Sequence, residues 1–308
     1  MANPTDGLLP AQTLRAFIEA GRIAARSPVA MSQVQPASLD LRLGEAAYRV
    51  RASFLPNARM SVEAKLGAFS LHEISLREGA VLETGCVYVV PLQERLSLPA
   101  DISAAANPKS STGRLDVFTR VITANGPAFD QIPAGYDGPL YAEICPQTFP
   151  VLVRQGSLLA QIRLRRGTPA RTDAELTMLH HEQRLISGDA ADIAGGIALS
   201  VDLSGEGAGG IIGYRAKRHT GVVDIDRPGC CAIDDFWEPI QARGERRLIL
   251  DPDQFYILAS KEAVHVPPTH AAEMEPFNPL VGEFRVHYAG FLDPGFGHEA
   301  AGGRRASR

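Results

Sequence analysis

The chain has 308 residues, 45% of them hydrophobic and 21% charged, a composition that supports packed cores and, at this length, two domains rather than one. Its apolar runs fall short of the ~20 residues a membrane span needs, and its first residues, MANPTDGLLPAQ, lack the basic start and apolar stretch of a secretory leader, so a cytoplasmic chain with no membrane partner is expected. A net charge of −4 argues against a nucleic-acid backbone as partner, although a small anionic ligand needs only a local basic pocket.

Leu14, Phe17 and Ile18 fall at helical spacing after Pro10 and predict one short amphipathic helix over about 11 to 25. Alternation then takes over. Leu39, Leu41 and Leu43 share a face in SLDLRL, and Tyr48, Val50 and Ala52 share one in YRVRAS, with GEAA as the turn between them. CVYVVPL, DVFTRVIT, PLYAEI, FPVLVR and LLAQIRL are further strands, punctuated by turns drawn from 29 Gly and 22 Pro. This is the pattern of an all-β fold of sandwich, jelly-roll or barrel type. Four cysteines, Cys86, Cys145, Cys230 and Cys231, form neither a CxxC nor an even framework and are expected to be reduced and buried.

The chain repeats itself. LETGCVYVVPLQERLSLPA from Leu82 aligns without gaps with LDPDQFYILASKEAVHVPP from Leu250, an offset of 168 residues. SLDLRLG at Ser38 echoes SVDLSG at Ser200, and NPKSSTGRLDV at Asn107 echoes NPLVGEFRV at Asn278. We therefore expect a first β domain over 1–167, a polar and partly helical connector over 168–190, and a second copy over 191–308. The second copy is expected to be short of its last strands, either because the sequence is a fragment or because another segment completes it.

The most informative stretch is NPKSSTGRL, residues 107–115. Two hydroxyls, a lysine, an arginine and the N–H groups of a tight turn are the donors that phosphate oxygens want; a solvated polar loop is the alternative. The second copy has Gly282-Glu283-Phe284 where the first has Gly113-Arg114-Leu115, and it lacks the serines. A second candidate is Glu143, one carboxylate among Leu140, Tyr141, Ala142 and Ile144 on an alternating strand. Such a group either faces solvent or is buried with a partner, and Arg114 is the candidate partner.

VQPASLDLRLG (34–44), KSSTGRL (109–115) and AGYDGPLYAEI (134–144), in that order, resemble the dCTP deaminase family of the trimeric dUTPase-like superfamily, and the tandem layout resembles its long two-repeat bacterial form. The resemblance implies two tandem β-clip (distorted jelly-roll) domains, a homotrimer with shared sites, and zinc-independent conversion of dCTP to dUTP and ammonia, with Mg²⁺ bound through the substrate triphosphate. It implies that Glu143 relays protons as water adds to C4 of cytosine, with Ser110 and Arg114 holding the water and the Glu side chain. Lys109 and Ser111, in the turn with Thr112 and Gly113, would meet phosphates. Tyr141 and Ala142 would line the base pocket through the strand backbone, and Tyr136 would pack beneath the deoxyribose. The family's acidic position three residues before that aromatic is Pro133 here, so Asp130 is the nearest acid for the sugar 3′-hydroxyl or a metal-bound water. The second copy, with Asp293-Pro294-Gly295-Phe296-Gly297 but no serines, arginine or following Glu, reads as catalytically dead.

Two decoys are set aside. His180-His181-Glu182 matches the HxE half of a zinc deaminase, but adjacent Cys230 and Cys231 cannot supply the CxxC half. GEGAGG (205–210) matches GxGxxG, yet IIGYRAK after it reads as a strand, so no helix N-terminus is there to hold a pyrophosphate. Alternatives left open are a bifunctional enzyme that carries dUTP on to dUMP, a dUTPase, and a non-catalytic nucleotide-binding protein.

Overall fold

The fold comes from a computed structural model, which describes residues 6–57, 59–188, 191–206, 208–244, 246–275 and 290–297. The chain divides into two compact units, the first built on residues up to Pro169 with Gly221–Cys230 added, the second on Ala170–Thr220 and Cys231–Arg285. In chain order the first runs β1 (Gly7–Leu8), α1 (Ala11–Glu19), β2 (Ile23–Ala25), β3 (Leu39–Arg42), β4 (Ala46–Val50), α2 (Val62–Phe69), β5 (Ser70–Ser75), β6 (Ala80–Leu82), β7 (Val87–Ser97) and β8 (Ile102–Pro108). It continues with α3 (Ser110–Gly113), β9 (Val117–Thr123), β10 (Gln131–Ile132), β11 (Asp137–Pro146), β12 (Val151–Val153) and β13 (Leu158–Arg166).

Two sheets carry this unit. One has the order β1-β13-β8-β10 with β3 also on β13; the other has the order β5-β4-β7-β11-β9 with β2 also on β7. Leu39 and Leu41 from β3, Val90 and Leu96 from β7, Leu140, Ala142 and Ile144 from β11, and Ile162 and Leu164 from β13 form one apolar core. A second cluster, Val50, Phe54, Val62, Leu66, Val89, Ile122 and Tyr141, gathers under α2. Successive residues of a strand point to opposite faces, so β11 sends Leu140, Ala142 and Ile144 into the first cluster and Tyr141 towards the second. Each large side chain so buried contributes about 1.5–3 kcal/mol. Glu143 shares Tyr141's face, in a strand covered on both sides, and that coverage decides its fate.

The predicted helix stops at Glu19 rather than near 25. Gly21 takes φ +68°, a left-handed conformation that turns the chain out of the helix, and Ile23–Ala25 then pairs with β7, Ile23 opposite Leu96. The connector contains one helix, α4 (Asp173–Gln183), started by a capping box in which the Thr172 hydroxyl accepts from the Glu175 N–H. In the second unit Gly205, Gly209 and Gly210 of GEGAGG take left-handed conformations, and β14 (Ile211–Ala216) follows, a strand as expected. β15 (Val223–Asp224) returns to the first unit and runs parallel to β12. β14 pairs on one side with β16 (Trp237–Gln241) and on the other with β17 (Tyr256–Leu258), the latter drawn from the FYILASK match. The NPLVGEFRV match at 278–286 lies outside the described residues.

Of the four cysteines only Cys145 is buried; Cys230 is exposed, because the loop after β15 leaves it on the surface. Among the described residues no helix is long and apolar enough to cross a membrane.

Candidate active site

The opening motif folds as a single helical turn. β8 ends at Pro108, Lys109 stands at the N-cap in extended conformation, and Ser110–Gly113 forms α3. The N–H groups of Thr112 and Gly113 both bond the Lys109 carbonyl at 2.9 Å, and the Arg114 N–H bonds that of Ser110 at 3.1 Å. These three amides are therefore spent within the turn. Ser110, Ser111 and Arg114 are exposed, whereas Thr112 and Gly113 are buried. The Thr112 hydroxyl is enclosed with no hydrogen-bond partner among the described residues. Lys109 is committed elsewhere: its ammonium is ion-paired with the buried Asp40 carboxylate of β3.

Glu143 is buried, 1% exposed. It faces Val89 of β7 on one side and Arg120 of β9 on the other. Its Oε1 accepts from Arg120 Nη2 at 2.6 Å, while its Oε2 has no hydrogen-bond partner among the described residues. The expected partner Arg114 is not the observed one. Within one chain the structure brings neither Ser110 nor Arg114 into hydrogen-bond contact with Glu143. The reason is register: β9 and β11 are neighbours whose ladder sets position 120 against position 143, while the turn at 110–114 precedes that ladder.

Around this pair the β9–β11 connection folds back. Phe129 places its ring 3.4 Å from the Arg120 guanidinium, and Phe118 places one 4.6 Å away on the same strand. Arg120 Nη2 also reaches Ser53 Oγ at 3.2 Å. Asp130, at φ +59°, accepts the Val121 N–H at 2.7 Å. Burial pushes its carboxyl up to about 7, against smaller opposing effects of the Val121 amide and the Arg120 charge.

Tyr141 is buried and its hydroxyl is bonded to Glu63 of α2. The backbone from Tyr141 to Glu143 is paired on both edges, yet the β7 side is weakened at Tyr141. There the register shifts between Pro139 and Tyr141, and the facing residue, Pro91, has no N–H to donate. A groove of about 950 Å³ opens at this break, lined by Tyr48, Glu63, Pro91, Arg95, Pro139 and Tyr141 among others. Tyr136 is half-buried against the main core; its hydroxyl accepts the Ala124 N–H at 3.0 Å and donates to the Pro139 carbonyl. Arg120, Asp40 and Glu63 were not singled out by the sequence. The one legible signal was an arginine inside the otherwise apolar and hydroxylated DVFTRVIT.

His180 and His181 sit on α4, and among the described residues no group of three or more His, Cys, Asp and Glu side chains is arranged to hold a metal.

Comparison with known proteins gives a consistent picture. Residues 5–168 match the family model described as 2′-deoxycytidine 5′-triphosphate deaminase (DCD) N-terminal domain, and residues 172–308 match its C-terminal domain. A crystal structure described as 2′-deoxycytidine 5′-triphosphate deaminase from Agrobacterium tumefaciens superposes with a TM-score of 0.94 at 59% identity, over 98% of this chain and 91% of that one. A protein named dCTP deaminase from Halorubrum lacusprofundi is 32% identical over 133 residues, 42% of this chain. One named dCTP deaminase, dUMP-forming, from Thermobifida fusca is 31% identical over 157 residues, 50% of this chain and 76% of its own length. The chain spans 62% and 65% of the length of the two haloarchaeal relatives, from Halorubrum and Haloarcula marismortui.

Proposed function

This chain belongs to the dCTP deaminase family, and on that footing we propose that it hydrolyses dCTP to dUTP and ammonia at a site centred on Glu143. The observation that carries the reading is the state of that side chain: buried, anchored through Oε1 by Arg120, and with Oε2 lacking a partner among the described residues. A buried carboxylate oxygen without a donor is costly unless a ligand supplies one. Here the donors are the attacking water and then the leaving amine. Glu143 takes a proton from the water as its oxygen adds to C4, and returns it so that the C4–N bond breaks with ammonia as the leaving group. Holding water and base in contact accounts for much of the rate expected of such a site.

The base enters through the groove at the Pro91–Tyr141 break, where the β11 backbone is least occupied by its own ladder. Ser110 and Arg114, exposed on α3, act on the site of a neighbouring copy, as in a homotrimer with shared sites. That arrangement reconciles their distance from Glu143 in one chain with the roles expected of them. Thr112, Gly113 and Ser111 then contribute the turn that presents these side chains. Mg²⁺ arrives on the triphosphate, held by phosphate oxygens. In this reading water is activated by the carboxylate, without zinc.

A second reading is that dUTP is carried on to dUMP and pyrophosphate; the Thermobifida and Streptomyces avermitilis relatives bear the name dUMP-forming. Incubation with dCTP and Mg²⁺, followed by separation of nucleotides and assay of ammonia, decides. Equal amounts of dUTP and ammonia support the proposal, dUMP with pyrophosphate selects the second reading, and intact dCTP overturns both.

A further inference from the structure

We infer that Arg120 is the residue that positions the catalytic carboxylate of Glu143, fixing one oxygen so that the other is presented to the reacting water. The inference rests on the dCTP-deaminating role of Glu143 and adds a participant to it.

Register places the pair. Glu143 and Arg120 are directly opposed on adjacent antiparallel strands, with Tyr141 opposite Ile122 and Cys145 opposite Phe118 on the same face. Side chains so opposed are within contact distance before any tertiary adjustment. The ion pair is short, 2.6 Å, and nearly closed to solvent on the carboxylate side. Low local polarity strengthens its electrostatics.

Geometry separates a positioning device from a structural ion pair. A guanidinium and a carboxylate frequently close into a two-bond fork, as Arg154 and Asp224 do, which satisfies both oxygens and two nitrogens. Here the pair holds by one bond. Among the described residues Arg120 Nε is enclosed without a partner, and so is Glu143 Oε2. The guanidinium lies against the Phe129 ring at 3.4 Å and the Phe118 ring at 4.6 Å, with Nη2 also directed to Ser53 Oγ. Two rings and a hydroxyl fix its plane, so it cannot swing to cover the second oxygen. The consequence is a carboxylate with one oxygen locked and one reserved. Lysine cannot replace this arrangement, because an ammonium lacks the planar surface that stacks on both rings.

The test uses the full-length protein and steady-state ammonia release from dCTP with Mg²⁺. Arg120→Gln is expected to lower kcat by at least about 100-fold with KM for dCTP within about threefold of wild type, the signature of an interaction used in the transition state rather than in substrate binding. Arg120→Lys is expected to lose at least about tenfold in kcat. In folded Arg120→Ala, added guanidinium at concentrations well below denaturing is expected to restore kcat by about tenfold, and methylammonium to restore none, because only the planar ion fits between the rings. Phe129→Leu keeps the ion pair and loosens the stack, so it carries the test if the Arg120→Gln or Arg120→Ala protein does not fold; a several-fold fall in kcat at unchanged KM is expected. Folded Arg120→Gln or Arg120→Lys with kcat within threefold of wild type, or a Phe129→Leu protein of wild-type kcat, overturns the positioning role while leaving the deaminase reading intact. A wild-type protein that releases no ammonia overturns both.

Discussion

The ammonium of Lys109 is ion-paired with the carboxylate of Asp40, a side chain 1% exposed in β3. The motif lysine thus reaches across 69 positions of sequence to neutralise a charge in the core. Removing one partner of such a pair leaves a buried charge deprived of its counter-ion, at a cost of about 3 kcal/mol. Lys109→Met is therefore expected to lower the free energy of unfolding, read from urea titration at pH 7, by about that amount, and Asp40→Asn combined with it to recover part of the loss. An unchanged midpoint in Lys109→Met contradicts the pairing.

Asp130 ties stability to pH. Its carboxyl is pushed up to about 7 by burial, from an ordinary value of 3.8. Below pH ~4 the folded and unfolded chains both hold the proton and the group contributes nothing; between pH ~4 and ~7 the unfolded chain releases a proton that the folded chain keeps, so stability falls as pH rises. Asp116, pushed up to about 6 with the Thr148 hydroxyl donating to it, acts in the same direction. Asparagine at 130 keeps the acceptor for the Val121 N–H and tolerates φ +59°. Asp130→Asn is expected to match wild type closely at pH 4 and to exceed it by up to about 4 kcal/mol at pH 8, read from denaturant titrations at the two pH values. Equal stability of the two proteins at pH 8 contradicts the burial.

Tyr136 ties the end of β9 to β11 through one hydroxyl, accepting from Ala124 and donating to Pro139. Tyr136→Phe removes both bonds and keeps the ring, so it is expected to cost about 1–2 kcal/mol and, with the ring still beneath the deoxyribose as proposed, to keep the preference for dCTP over CTP that the ring would impose by crowding a 2′-hydroxyl. Tyr136→Ala removes the ring as well and is expected to relax that preference. Competition between the two nucleotides in an ammonia-release assay separates the outcomes.

Much of the first unit is legible in the sequence because alternation is local. SLDLRL, DVFTRVIT, PLYAEI and LLAQIRL all form strands, and the buried aspartate of SLDLRL returns in the second copy as Asp202, also buried. What escaped is what depends on partners distant in sequence. That Glu143 is inward follows from α2 and its cluster covering the outer face of β11, which alternation in PLYAEI cannot report. Arg120 could not be chosen over Arg114 without the β9–β11 register, since Arg114 sits in the motif itself and only Arg120 lies opposite the acid. Lys109 looked like a free phosphate donor because nothing local announces Asp40. The helix end was readable in principle, from Gly21, and was overrun because Ile23 continued the apolar pattern into β2.

The central claim is that the side chain of Glu143 carries the proton in dCTP deamination, and exchange of a single oxygen for nitrogen tests it most directly. Glu143→Gln preserves the size of the side chain and an acceptor for Arg120, so dCTP affinity is expected to stay within about tenfold, an effect of ~1.4 kcal/mol. Ammonia release from saturating dCTP is expected to fall by several orders of magnitude. A Glu143→Gln protein that still releases ammonia at a substantial fraction of the wild-type rate contradicts the account.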